Sequence, residues 1–190
     1  IVHAVSTLSR YTTAPLLADL QAATRVFGYL RKTKYMGLSY ARPADCGPSS
    51  PLSVTVYTDA SYGEDRETRR SQTGTAILVS GGFVLWQSKR QITTATSSSE
   101  AEYQALASSV KEAIWIKHLL VDMGLYSSPF PVCVDNSSTI CWAQELKVIN
   151  RAKHLDVIHH YVQEIFADQR LLIKYVPTGD QLADLLTKAL

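Results

Sequence analysis

The chain has 190 residues, of which 46% are hydrophobic and 19% are charged. This composition excludes a disordered chain, which would combine low hydrophobicity with a high net charge. The 19 Lys and Arg residues nearly balance the 17 Asp and Glu residues, so any basic surface for an acidic partner must be local. No apolar run approaches the roughly 18 residues of a membrane span, and three irregularly spaced cysteines predict neither a disulfide framework nor a zinc site.

The first predicted element is a helix with one apolar face, on which apolar residues recur at spacings of four and three. That face consists of Leu16, Leu20, Ala23, Phe27 and Leu30. Pro15 is expected in its first turn. One helix cannot bury such a face alone, so the face is expected to pack on the main domain, to stay exposed, or to pair with a second copy in a homodimer. Because the chain does not begin with Met, we expect it to be cut from a longer polypeptide.

A stretch rich in Pro, Gly and Ser at 42–51 predicts a linker. We therefore expect residues 1–48 to be the tail and linker of a preceding region and 49–190 to be the main domain. Within it, strands are predicted at 54–61, at 74–90 (two strands meeting at Gly81-Gly82), at 131–136 and at 171–177. Helices are predicted at 98–123, 138–146 and 154–169, and from about 180 to the chain end. This order favours an α/β fold with a mixed five-stranded sheet, its first three strands antiparallel, flanked by helices.

Four acidic residues stand near strand ends or helix starts: Asp59, Glu102, Asp135 and Asp184. Each has an ordinary explanation alone, as an exposed strand residue, a turn former or a residue of the first helical turn. Together they can converge at one edge of a sheet, where carboxylates repel each other unless a cation is bound. Oxygen ligands alone select Mg²⁺ or Mn²⁺, so the pattern predicts a site for divalent ions that hydrolyses a phosphodiester.

The phase of the long helix separates Glu102 from Glu100. Glu102 lies four residues before Leu106, the start of an apolar stripe, and is therefore expected to face the sheet. Glu100 fits a capping box in which its carboxylate reaches back to the Ser97 amide. The same box drawn from Ser99 to Glu102 is the alternative explanation of Glu102.

Short motifs around these acids resemble the ribonuclease H domain at the end of the polyprotein of copia-type LTR retrotransposons. They read TDAS (58–61), SSSEAEYQAL (97–106), VDNSS (134–138) and QLADLLTKAL (181–190). Further similar segments read DRETRRSQTG (65–74), WQSKRQ (86–91) and AKHLDVIHHYVQE (152–164). HAVSTLSRY (3–11) and RVFGYLRKTKYMGLSY (25–40) are similar to the end of the preceding reverse transcriptase region. The resemblance covers essentially the whole chain.

The resemblance implies a ribonuclease H fold and cleavage of the RNA strand of an RNA–DNA hybrid, leaving 5′-phosphate and 3′-hydroxyl ends. It implies two Mg²⁺ ions, for which Mn²⁺ can substitute, held by Asp59, Glu102, Asp135 and Asp184, with Asp59 bridging them. It also implies the reverse transcriptase domain of the same polyprotein as a partner and the cytoplasmic virus-like particle, with nuclear passage, as the location. The loop before the last helix lacks the histidine of many cellular and retroviral relatives.

Candidate substrate contacts are less specific. Ser61, Ser99 and Asn136 adjoin the acidic motifs and could bind the 2′-hydroxyls of an RNA strand. Candidate phosphate contacts are Arg69 and Arg70, with neighbouring Arg66, and then Lys89 and Arg90. We expect these two groups at opposite ends of the first hairpin, where a solvated turn would explain them equally well.

Two other functions stay open. A non-catalytic ribonuclease H-like module that positions hybrid for the polymerase predicts losses among the four acids, and none is lost. A DNA strand-transfer enzyme on the same fold would use three acids at other spacings and would lack the reverse transcriptase tail.

Overall fold

A computed structural model describes residues 1–40, 52–125, 129–144 and 153–188 of the chain. The predicted linker at 42–51 lies outside these ranges. In the described part, no helix is both long enough and apolar enough to cross a lipid bilayer.

Among the described residues, five strands form one mixed sheet in the order β3-β2-β1-β4-β5. They are β1 (Val54–Ser61), β2 (Gln72–Val79), β3 (Gly82–Arg90), β4 (Pro131–Val134) and β5 (Leu172–Tyr175). The first three strands form an antiparallel meander, whereas β4 pairs with β1, and β5 with β4, in parallel. The predicted α/β class and sheet are therefore confirmed.

The turn between β2 and β3 lies one residue earlier than predicted. Ser80 and Gly81 form it with φ angles of 50° and 79°, the left-handed geometry that matches the twist of a two-residue hairpin. Gly82 instead begins β3, where the ring of Tyr40 packs so closely that an added Cβ would clash with it. The absence of a side chain at Gly82 therefore lets the N-terminal segment approach this strand.

Six α-helices accompany the sheet in the described part of the chain. They are α1 (Val2–Leu8), α2 (Leu17–Thr33), α3 (Ser98–Asp122), α4 (Ser137–Gln144), α5 (Lys153–Ala167) and α6 (Asp184–Thr187). The apolar stripe of α3 packs on the sheet, and Leu106 and Val110 have no exposed surface there. The last helix begins at Asp184, later than predicted, because a 3₁₀ turn at Thr178–Asp180 comes first.

Helix α1, which the sequence did not reveal, contacts the strand-bearing part of the chain. His3 Nε2 lies 2.6 Å from Glu64 Oε1, and Arg10 Nη2 donates to Gln72 Oε1 over 2.7 Å. Tyr40, at the other end of the same segment, donates to the Phe83 carbonyl over 2.8 Å. Both ends of the N-terminal segment are thus attached to the sheet, and the boundary at residue 48 stays a prediction.

The predicted apolar face of α2 lies in solvent. Leu20 and Phe27 are 63% and 71% exposed. The helix turns a different side, with Ala22 and Val26, toward a cavity that it shares with α1 and α6. Pro15 precedes the helix instead of lying in its first turn. Periodicity identified the helix but not the side that finds a partner, because both sides carry apolar residues.

Candidate active site

Three of the four predicted carboxylates come together. Asp59 lies near the end of β1, Asp135 directly follows β4, and Asp184 begins α6. One carboxylate oxygen of each lies within 4.8 Å of the others. The cause is topological, because the carboxyl ends of the parallel strands β1 and β4 meet at one edge of the sheet.

The fourth carboxylate, Glu102, approaches this cluster from α3. Its side chain is buried, as the helical phase predicted, and it accepts a hydrogen bond from the Ala60 amide, next to Asp59. Burial, together with the charges of Asp59 and Asp135, raises the pKa of Glu102 to about 9. Its Oε2 atom is buried and has no hydrogen-bond partner among the described residues.

Glu100 has a different role, two residues earlier. Ser97 is the N-cap of α3, and its hydroxyl accepts a hydrogen bond from the Glu100 amide over 3.2 Å. The Glu100 carboxylate accepts from the amide and the hydroxyl of Thr96, over 2.8 and 2.5 Å. It therefore reaches one residue beyond the predicted Ser97 amide. Because Ser97 is the cap, the alternative box from Ser99 to Glu102 is excluded.

Helix α6 supplies a hydroxyl and a cation to the acids. Thr187 Oγ1 donates a short hydrogen bond to Asp59 Oδ2, and Lys188 Nζ lies 2.7 Å from Asp184 Oδ2. Both residues follow Asp184 by three and four positions, a spacing that places them on its side of a helix. The sequence pattern did not single out Thr187 or Lys188, although both lie in the QLADLLTK motif.

A glycine opposite Asp59 lets α6 come this close. Gly74 is the register partner of Asp59 across β1 and β2. A Cβ at this position would lie 2.7 Å from Thr187 Cγ2 and 2.8 Å from the Ala183 carbonyl oxygen. Any larger side chain at Gly74 would therefore displace α6 from the carboxylates.

The electrostatics of the site match a bound divalent cation. Burial, helped by the charge of Asp184, raises the pKa of Asp59 to about 6 against the lowering effect of the Thr187 hydrogen bond. Asp184 Oδ1, like Glu102 Oε2, is buried without a hydrogen-bond partner in the described part of the chain. Carboxylate oxygens alone, two of them unsatisfied, are the donor set that Mg²⁺ and Mn²⁺ prefer. The residues present therefore fit the metal that the fold implies.

Without metal, we expect stability to fall as the pH rises from 5 to 9. The folded-state pKa values of Asp59 and Glu102, about 6 and about 9, exceed the ordinary values of 3.8 and 4.5 for these side chains in an unfolded chain. The folded chain therefore binds protons at these two groups more tightly than the unfolded chain does. The free energy of unfolding that this binding contributes is lost as the pH rises through the folded-state pKa values. The measurement is the Tm in EDTA at pH 5, 7 and 9. Saturating Mg²⁺ should raise the Tm most at pH 9, and a Tm that climbs with pH in EDTA would contradict the assignment.

The predicted contacts to the RNA strand are Ser61, Ser99 and Asn136, and each lies on or next to an element that carries one of the acids. Ser61 ends β1, and Ser99 lies in the first turn of α3. Asn136 Oδ1 accepts from the Thr139 amide over 3.1 Å and so caps α4. Asp135, between β4 and this cap, accepts a hydrogen bond from the Thr178 hydroxyl over 2.9 Å.

The two basic groups lie at the same end of the hairpin, which corrects the expectation of opposite ends. Arg69 and Arg70 directly precede β2, and Arg90 at the end of β3 is the register partner of Gln72. Antiparallel strands bring the start of one beside the end of the next. Arg90 forms an ion pair with Asp65, and its hydrogen bond holds the pKa of the Asp65 carboxyl well below its usual range. Lys89 and Arg69, in contrast, are exposed.

The chain is similar in sequence to known polyproteins, although no family model matches it. The chain is 36% identical over 191 residues to the retrovirus-related Pol polyprotein from transposon TNT 1-94 of Nicotiana tabacum, covering 99% of the chain and 14% of that protein. It is 31% identical over 192 residues to the Pol polyprotein from transposon RE1 of Arabidopsis thaliana, covering 100% of the chain and 13% of that protein. The chain thus spans a small fraction of the length of these relatives.

Solved structures share its architecture. LC11-RNase H1, isolated from compost, matches with a TM-score of 0.53 at 20% identity over 70% of this chain and 91% of its own. A foamy viral protease-reverse transcriptase in complex with an RNA/DNA hybrid matches with a TM-score of 0.53 at 17% identity, over 80% of this chain and 21% of its own. At these identities the likeness shows the fold, which is that of ribonuclease H, as the resemblance implied.

Proposed function

We propose that the chain, whose homologues are Pol polyproteins of copia-type retrotransposons that match it over essentially its whole length, is a hybrid-specific endoribonuclease. It would hydrolyse the RNA strand of RNA–DNA hybrids during reverse transcription, in the cytoplasmic virus-like particle. The observation that carries the proposal is the convergence of Asp59, Asp135 and Asp184 on a ribonuclease H fold. LC11-RNase H1 has also been crystallised in complex with an RNA/DNA hybrid, which supports the substrate class.

We infer that two Mg²⁺ ions act here, with Mn²⁺ as a substitute, held by Asp59, Glu102, Asp135 and Asp184. When bound, the ions would supply an activated water and stabilise the charge that develops on the cleaved phosphodiester. The product ends would be a 5′-phosphate and a 3′-hydroxyl.

The protein's own part in this chemistry is to hold the carboxylates in place and to limit their repulsion. Thr187 and Thr178 donate hydrogen bonds to Asp59 and Asp135 and so hold these side chains in place. The hydrogen bond from Thr187 lowers the pKa of Asp59 and so opposes the effect of its burial. Lys188 adds one positive charge beside Asp184. Its pKa is raised, because the hydrogen bond to Asp184 and the surrounding acids outweigh the effect of its burial.

The test is cleavage of end-labelled RNA annealed to DNA, by the whole chain with Mg²⁺, Mn²⁺ or EDTA. We expect cleavage with either ion, none in EDTA, and none of duplex DNA or duplex RNA of the same sequence. Binding of the hybrid without cleavage would indicate the non-catalytic tether instead. Cleavage of duplex DNA would favour strand-transfer chemistry.

The exposed face of α2 is the basis of a separate proposal on partners. We propose that in the polyprotein this face contacts the reverse transcriptase domain, and that the isolated chain uses it to form a homodimer. Leu20 and Phe27 at its centre are both mostly exposed.

Replacing Leu20 and Phe27 by lysine should lower the dimer fraction, because two charges in an apolar contact lose their hydration without gaining partners. Sedimentation velocity of both proteins over a concentration series measures it. Cleavage should be unchanged, since neither residue touches the acidic cluster. A parent chain that is monomeric throughout would contradict the dimer.

A further inference from the structure

One buried amide joins the three elements that carry the clustered carboxylates. Gln181 lies between β5 and α6, with only 4% of its surface exposed. Its Nε2 atom donates to the Thr58 carbonyl over 3.0 Å and to the Cys133 carbonyl over 3.4 Å. Its Oε1 atom accepts a hydrogen bond from the Ala183 amide over 3.3 Å. Both donor hydrogens and the acceptor of this side chain are therefore used.

Each of these backbone contacts is next to, or two residues from, an acid of the site. Thr58 directly precedes Asp59, Ala183 directly precedes Asp184, and Cys133 stands two residues before Asp135. A single side chain thus fixes the backbone of β1, of β4 and of the start of α6 relative to one another.

The hydrogen bonds of Gln181 lie at the end of the pairing between β1 and β4. Their parallel pairing comprises Val56 with Val132 and Tyr57 with Cys133. Asp59 and Asp135 lie beyond the second pair, where the described ladder between the two strands has ended. The separation of these carboxylates therefore depends on contacts outside the ladder, and the Gln181 amide provides two of them.

We propose that Gln181 is a positioning residue that sets the spacing of Asp59, Asp135 and Asp184, and thereby the affinity of the site for divalent cations. This inference rests on the proposed function. The chemistry requires an amide, because a carboxylate of the same shape accepts but cannot donate to two carbonyl groups. An apolar side chain of similar length would leave those carbonyls buried without this donor.

The main test is Mn²⁺ binding to the whole chain, followed by electron paramagnetic resonance, in the parent and in Gln181→Met. Loss of a residue that orients metal ligands typically weakens metal binding by about 10–100-fold, and we expect a loss in this range. Gln181→Glu should also weaken binding, because a carboxylate repels the Thr58 and Cys133 carbonyl oxygens instead of donating to them.

The matched control is Gln72→Met. Gln72 is also a buried glutamine with its side chain fully engaged, but it joins Ser6, Arg10 and Ser88 instead of the acid-bearing elements. Both methionine variants should lower the Tm, whereas only Gln181→Met should weaken Mn²⁺ binding. Should Gln181→Met fail to fold, Gln181→Asn, which keeps the amide on a shorter stem, serves in its place.

Hybrid cleavage gives the second readout. In the Gln181 variant the Mg²⁺ concentration for half-maximal rate should rise about 10-fold or more, with most of the rate recovered at high Mg²⁺. A parent chain that binds no Mn²⁺ and cleaves no hybrid would overturn the proposed function. A parent that does both, beside a folded Gln181 variant with unchanged Mn²⁺ affinity and Mg²⁺ requirement, would overturn this inference alone.

Discussion

Asp59→Asn is expected to abolish RNA cleavage while leaving hybrid binding intact. The substitution keeps the shape of the side chain and removes the charge of the most buried member of the cluster. Losing several kcal/mol of transition-state stabilisation corresponds to a rate lower by about 1,000-fold or more. Binding should persist, because affinity for a nucleic acid comes mainly from contacts to phosphates made by other residues.

The same substitution should raise the Tm of the metal-free chain at pH 8. At that pH the Asp59 carboxylate is ionised although burial and the nearby acids disfavour its charge, so a neutral amide removes a destabilising group. Thr187 can still donate to the amide oxygen of an asparagine, so the hydrogen bond is retained.

The measurements are single-turnover cleavage, hybrid binding by fluorescence anisotropy, and thermal unfolding in EDTA. Asp122→Asn, an exposed acid at the end of α3, is the control and should change none of them. A Tm gain without loss of cleavage would mean that Asp59 is buried for another reason and binds no metal.

The features that were predicted correctly are those that a local sequence pattern determines. Strand β1 was predicted with its observed bounds, because β-branched residues and alternation define a half-buried strand. The positions of Asp59 and Asp135 near the ends of two strands then required their convergence once those strands lay side by side in parallel. The helical phase likewise placed Glu102 correctly, since its burial follows from the stripe that begins at Leu106.

The features that the sequence did not predict depend on tertiary contacts, which leave no periodic pattern in the sequence. Gln181 and Thr187 are single polar residues, and nothing local states which carbonyl or carboxylate they meet. Helix α1 is short, and its attachment through His3, like that of Arg10 in the 3₁₀ turn after it, depends on a loop about 60 residues away. The exposed face of α2 shows the same limit, because amphipathicity predicts a helix with an apolar side but does not name the partner.

The comparison of Glu102→Gln with Glu100→Gln separates the chemistry of the site from the stability of its helix. The two residues are neighbours in sequence, are similarly buried and carry the same functional group. Only Glu102 faces the clustered acids, so its neutral isostere should lower cleavage by about 100-fold or more, as loss of a few kcal/mol of charge stabilisation does. It should also raise the metal-free Tm above pH 7, because burial disfavours the ionised form of this carboxyl.

Glu100→Gln should instead lower stability by about 0.5–1 kcal/mol and leave cleavage within a factor of about two, because its carboxylate serves Thr96 at the helix start. Side-by-side turnover and thermal unfolding of the two variants decide the matter. The two Tm changes are expected to have opposite signs. A general disturbance of the N-terminus of α3 would instead lower the Tm of both variants. Equal losses of cleavage would place the Glu102 carboxylate outside the site and leave a centre of three acids, as the alternative of strand-transfer chemistry requires.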